Sequence, residues 1–271
     1  MIRIAHSPDA DDAFMFYPLA KGRIDAKGLE FKHILSDIET LNQKALAGEY
    51  EVSAISLHAY PYVAEKYALL SCGGGVGYKY GPVVISKKRI RTLRGKTVAV
   101  PGLLTTAYLV LKLFEKDFTA KVVPFNKIMD EVADGGADAG VVIHEGQLFY
   151  TDRKLSKFID LGEWWYEKTK LPLPLGGIAV RRDLGKELMK KIAHCIRESI
   201  EYALKHREEA LEYALKFARG LEKNKADKFI GMYVNKYSID YGKDGRKAVK
   251  FLLSKGYEEG IITKKVEVEF V

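Results

Sequence analysis

Apolar and polar positions along the first 150 residues come in short blocks whose period changes repeatedly between that of a strand and that of a helix. Residues 2–5 form a short β-like run, residues 7–12 a polar turn, and residues 14–19 an apolar block that predicts a buried helix. Residues 29–34 predict a second strand. Ser36 and Glu39 then stand at the spacing of a capping box, and apolar residues at 38, 41, 45 and 46 predict a helix that Gly48 stops. Residues 52–56 predict a third strand, followed by an aromatic-rich helix over about 58–66. Gly73-Gly74-Gly75, with Gly77 and Gly81, predicts a tightly turned stretch before a strand at 83–86. It lacks the Gly-Lys-Ser/Thr ending of a phosphate loop.

From Lys96 the alternation starts again. Strands are predicted at 97–100, 121–124 and 139–143, with helices over 105–116 and 128–133 between them. A further strand at 178–181 follows the Pro172-Leu173-Pro174 segment, and the chain beyond Asp183 reads as helices broken at Gly220, Gly242 and Gly256. Alternating strands and helices imply an α/β protein with mainly parallel sheets, whose ligands sit beyond the C-terminal strand ends. Two similar halves and a late returning strand are explained by two lobes. Residues 1–86 and 178–271 are expected to form one lobe and 87–177 the other, with the ligand in the cleft between them.

A length of 271 residues fits one large or two medium domains, and an apolar share of 47% supplies ample core. No stretch reaches the roughly 20 apolar residues of a membrane helix. The N-terminal residues Met1 to His6 run straight into a strand pattern without the segments of a secretory signal, so a cytoplasmic location is expected. Cys72 and Cys195 have no metal-type or redox-type spacing and are expected to be buried free thiols. The net charge of +8 favours anionic partners, but Lys and Arg alternate with Glu, as in Arg207-Glu208-Glu209, on what read as solvated helix faces. Nucleic acid is therefore not an expected partner and a small anion is. Oligomeric state is left undetermined.

The chemistry concentrates at strand ends. Val141-Val142-Ile143-His144-Glu145 delivers an imidazole at the end of an apolar strand, where a histidine can serve as general base with a pKa expected near 6–7. Glu145 could orient its ring or face solvent. Leu148 occupies the place of a second zinc-binding histidine. Thr105 and Thr106 open a helix and offer hydroxyls and free N–H groups to a carboxylate, or simply cap it. Ser56 ends a strand and could do either as well. Asp9, Asp11 and Asp12 crowd one turn, where acids usually cap a helix and less often hold a divalent metal. Trp164 and Trp165 could stack an aromatic ligand, although packing is the commoner use of such a pair.

Several of these segments, in this order, resemble the 1,4-dihydroxy-6-naphthoate synthase family of the futalosine route to menaquinone. The matching residues are Ser7-Pro8, Asp12, Phe14-Met15-Phe16-Tyr17, Asp37-Ile38-Glu39-Thr40-Leu41-Asn42, Pro101-Gly102, Thr105-Thr106-Ala107-Tyr108, Ile143-His144-Glu145, Asp160-Leu161-Gly162 with Trp164-Trp165, Leu171 to Gly176, and Tyr233-Val234-Asn235. The resemblance implies a two-lobed periplasmic-binding-protein-like fold of type II used as a lyase that needs no cofactor or metal. It implies cyclic dehypoxanthinyl futalosine as substrate, His144 as the base, and substrate contacts at Ala54, Ile55, Ser56, Thr105 and Thr106. Ala107, Asn42 and Ser7, within the matched segments, join that expected set. The family's first turn reads Ser-Pro-Cys-Pro-Asn-Asp, whereas this chain has Asp9, Ala10 and Asp11 in the three middle places. Two rival readings are a chorismate dehydratase of the same pathway, which shares the fold, and a non-catalytic protein that captures a small carboxylate.

Overall fold

The computed structural model describes residues 1–218 and 221–271 and contains two sheets. The chain first lays down β1 (Ile2–His6), α1 (Ala10–Ala20), β2 (Phe31–Leu35), α2 (Ile38–Ala47), β3 (Val52–Ser56), α3 (Tyr60–Val63), β4 (Tyr67–Leu69) and β5 (Gly75–Gly77). It then crosses to a second sheet through β6 (Val83–Ser86), β7 (Lys96–Val100), α4 (Thr106–Phe114), β8 (Phe118–Val122), α5 (Ile128–Ala133), β9 (Ala139–Val142), β10 (Ser156–Asp160) and α6 (Leu161–Thr169). It returns as the long β11 (Leu173–Arg181) and ends in α7 (Lys186–Lys205), α8 (Arg207–Ala214), α9 (Lys223–Tyr233), α10 (Lys236–Ile239) and α11 (Gly242–Glu258). Gly220, an expected helix break, lies outside the described residues.

The first sheet has the order β2-β1-β3-β11-β4, with β5 also on β11, and the second has the order β10-β6-β9-β7-β8. Both are mixed rather than mainly parallel. Strands joined by helices, β1 with β2 and β3 and β7 with β8 and β9, are parallel. The strands that follow the two crossings, β6 and β11, run antiparallel to their neighbours because they enter each sheet from the opposite end. The crossings also come earlier than expected: β6 belongs to the second sheet and residues 173–177 to the first. The first crossing segment runs so close to the start of α6 that a Cβ on Gly162 would lie 2.0 Å from the Tyr80 carbonyl, which only glycine avoids.

Local departures have local causes. Asp37, not Ser36, caps α2 by accepting from the Thr40 N–H at 3.0 Å, while Glu39 reaches across to accept from Leu104 N–H at 3.3 Å. Strand β8 starts at Phe118, opposite Lys96, and stops before Pro124. Gly256 does not break α11; it lets the helix approach Leu109 and Ile262, which a Cβ would meet at 3.0 and 2.7 Å.

The C-terminal helices are amphipathic, as their charge pattern implies. In α7 the buried residues Met189, Ile192, Ile196, Ile200 and Ala203 recur every three or four positions and pack on α1. A separate cluster around Ile85, Ala99, Ile128 and Val132 fills the second lobe. A third core runs through both lobes, joining Ile55 and Leu69 to Val98, Leu109 and Trp165 beneath α11. Cys72 and Cys195 are buried free thiols. No helix among the described residues is long and apolar enough to cross a membrane.

Candidate active site

Between the sheets lies a cleft with about 850 Å³ of empty space, part of it open to solvent. Ser7, Ala54, Ile55 and Ser56 line it from one lobe, and Thr105, Thr106, Ala107 and His144 from the other. Met15, Ile38, Leu175, Ile178 and Phe229 make much of the wall apolar, as suits a ring system. Asn42 is the exception among the expected site residues. It is wholly buried behind Ser56, accepting from the Ser56 N–H at 2.8 Å and donating to Ser56 Oγ at 3.1 Å. Both of its bonds orient the serine so that the hydroxyl hydrogen remains for a ligand.

The start of α4 forms one end of the cleft. Thr105, in an extended conformation, accepts from Tyr108 N–H at 3.3 Å and donates to Gly102 O at 2.7 Å. Thr106 Oγ1 donates to Leu175 O at 2.5 Å and accepts from His58 N–H at 3.2 Å. The two hydroxyls, expected as ligand donors, are therefore structural ties. The N–H groups of Thr106 and Ala107 have no acceptor among the described residues. They point out of a helix whose dipole favours negative charge, and so suit a carboxylate.

Opposite, β9 ends at Val142 and His144 adopts φ +62°, a left-handed conformation that few non-glycine residues take up. The kink brings the ring edge-on to Phe125, with centroids 4.5 Å apart, and places Nδ1 2.7 Å from Asp9 Oδ2 of the other lobe. Nε2 is left as the ring nitrogen with no hydrogen-bond partner among the described residues. Burial alone would lower the imidazole pKa. The Asp9 charge and hydrogen bond, helped by Glu145, more than reverse this and lift it to about 9. That lies above the 6–7 expected from sequence, because a carboxylate distant in the chain is close in space. Asp9 is thus the orienting group, while Glu145 is buried beside the histidine and does not line the cleft.

The acidic turn does not serve as a set of helix caps. Asp9 occupies the N-cap position of α1 but makes no side-chain capping bond. Asp12 Oδ2 accepts from the backbone N–H of Ser7 at 2.8 Å and from its hydroxyl at 2.9 Å. Burial nonetheless pushes Asp12 up to about 6. Asp11 lines the cleft, and burial with the charges of Asp12 and Asp9 raises its carboxyl well above the usual range. Among the described residues, no group of three or more His, Cys, Asp or Glu is arranged to hold a metal ion. Gln147 and Tyr233, joined by a 2.8 Å hydrogen bond across the lobes, also line the cleft. Neither stood out as a site residue, since a lone glutamine and a lone tyrosine carry no spacing signal. Trp165 is core, donating from Nε1 to Pro172 O at 3.1 Å, and Trp164 packs edge-on to Phe114, both away from the cleft.

Comparison with known proteins bears on the fold and the family. A protein from Archaeoglobus fulgidus of known crystal structure is 49% identical, with a TM-score of 0.93, covering 96% of this chain and 98% of that one. A Candida albicans protein described as having the generic periplasmic binding protein fold superposes with a TM-score of 0.71 at 14% identity, over 98% of this chain and 92% of that one, which shows the fold alone. Two relatives are named 1,4-dihydroxy-6-naphthoate synthase. One, from Thermus thermophilus, is 38% identical over 100% of this chain and 99% of its own length. The other, from Streptomyces coelicolor, is 39% identical over 96% of this chain and 94% of its own. The family described as menaquinone biosynthesis matches residues 2–258, and at that coverage and identity the chain belongs to the menaquinone biosynthesis family.

Proposed function

We propose that this chain is a 1,4-dihydroxy-6-naphthoate synthase: a cytoplasmic lyase, working without a cofactor, that cleaves cyclic dehypoxanthinyl futalosine. The names of its two full-length relatives support the product, 1,4-dihydroxy-6-naphthoate. The observation that carries the mechanism is the His144–Asp9 pair, which leaves Nε2 without a partner among the described residues, in a cleft that the start of α4 also lines from the same lobe.

The substrate carboxylate sits against the N–H groups of Thr106 and Ala107, with the Ser56 hydroxyl as a further donor. Its ring system lies on the apolar wall. Neutral His144 takes a proton at Nε2, and Asp9 stabilises the imidazolium that forms while holding Nδ1–H. Cleavage follows, releasing the naphthoate and a sugar-derived fragment, and aromatisation of the product ring supplies driving force. Placed geometry contributes alongside proton transfer, because the base and the anchor line one cleft.

The test is incubation with cyclic dehypoxanthinyl futalosine while watching for the naphthoate chromophore. The wild-type protein forms it, and His144→Ala loses about 10²–10⁴-fold in turnover while still binding a carboxylate. His144→Gln, which keeps a hydrogen bond but takes up no proton, is nearly as slow. A glutamine variant with most of its activity intact would show that His144 is not the base.

A further inference from the structure

The mechanism above uses Asp9 and leaves a second carboxyl in the same cleft without a task. Asp11 stands in the first turn of α1, lines the cleft, and its buried Oδ1 has no hydrogen-bond partner. The groups facing it are Asp9 and Asp12 from its own turn, His144 and Glu145 from the end of β9, and Tyr233 from α9. With Asp11 itself that makes four carboxyls beside one imidazole, and burial makes it very costly to ionise all four. Asp9 is matched by His144 at 2.7 Å, and Asp12 accepts two hydrogen bonds from Ser7, both of which favour ionised forms. Among the described residues Asp11 has neither a cation in contact nor a hydrogen-bond donor, so of the three acids of the turn it is the one that keeps its proton.

Resting on the proposed reaction, we infer that Asp11 is a neutral carboxylic acid that donates a hydrogen bond to the substrate oxygen on which negative charge gathers as His144 removes its proton. No proton is transferred in this role. Asp11 keeps its hydrogen throughout and acts as one fixed donor of an oxyanion-hole type, with its Oδ1 buried where such a donor is strongest. The direction of its pKa agrees, since burial and the neighbouring carboxylates hold the neutral form. An acid was needed here only as a donor, so an amide of the same shape should serve in its place.

The experiment compares Asp11→Asn and Asp11→Leu with the wild type on cyclic dehypoxanthinyl futalosine, and records infrared spectra of each at pH 7 without substrate. The asparagine variant is expected within about 3-fold of wild type, and the leucine variant about 10²-fold lower in turnover with a smaller change in KM. The wild type is expected to show the carbonyl stretch of a protonated carboxylic acid that both variants lack. The inference is overturned by absence of that band, by a leucine variant at wild-type rate, or by an asparagine variant as slow as the leucine one while unfolding at the same urea concentration as wild type. If the wild type itself leaves the substrate intact, it is the naphthoate reading that falls; the infrared band still decides whether Asp11 holds a proton.

Discussion

Asp9→Asn is the sharpest perturbation available, because it removes a charge and leaves the shape. The carboxylate is 1% exposed and lies 2.7 Å from His144 Nδ1, whose side chain is 15% exposed, so little solvent screens the pair. The pair and its neighbours raise the imidazole from 6.5 to about 9. That rise corresponds to about 3 kcal/mol in favour of the protonated ring. Only the neutral ring accepts a proton, so wild-type kcat/KM should climb about tenfold per pH unit from 7 towards 9 and then level. In Asp9→Asn, burial is opposed chiefly by Glu145, and the imidazole should titrate at or below about 6.5. The rate then levels below neutrality, on a lower plateau, because the base is weaker and its ring is no longer held. The sign carries over to stability. A folded pKa above the unfolded one gives stabilisation that is complete below pH 6.5 and is lost as pH rises through about 9. The urea-unfolding free energy of wild type should fall over that window more steeply than that of the variant. NMR titration of the His144 ring in both proteins is the direct measurement. Midpoints within about half a unit of each other would refute the assignment of Asp9.

Two further outcomes follow from the geometry. Thr105→Val with Thr106→Val removes the α4 cap and the tie to Leu175, and should raise KM more than it lowers kcat; an unchanged KM would remove the anion from this helix start. Asn42→Leu leaves the buried Ser56 N–H without an acceptor and should lower unfolding free energy by about 1–3 kcal/mol, a loss that an unmoved urea midpoint would contradict.

Period and punctuation in the sequence were enough for the element order, since strands, caps and helix faces are set by neighbours within a few residues. Val52–Ser56, Val83–Ser86 and Ile128–Ala133 fall where alternation and apolar spacing put them. His144 and Thr105-Thr106 were legible for the same reason, because they end or begin an element at the edge where α/β ligands bind. What the sequence did not determine are relations between distant segments. The antiparallel entry of β6 and β11 depends on how the chain crosses between lobes, and a strand's own residues do not encode its partner's direction. Asn42 looked like a ligand contact and is a support for Ser56, because only tertiary packing decides which side of α2 faces the cleft. The ordinary histidine value was all that the sequence offered for the basicity of His144, and its controlling charge stands 135 positions earlier, at Asp9. A pKa follows distance and burial in space, and those exist only once the two lobes have met across the cleft.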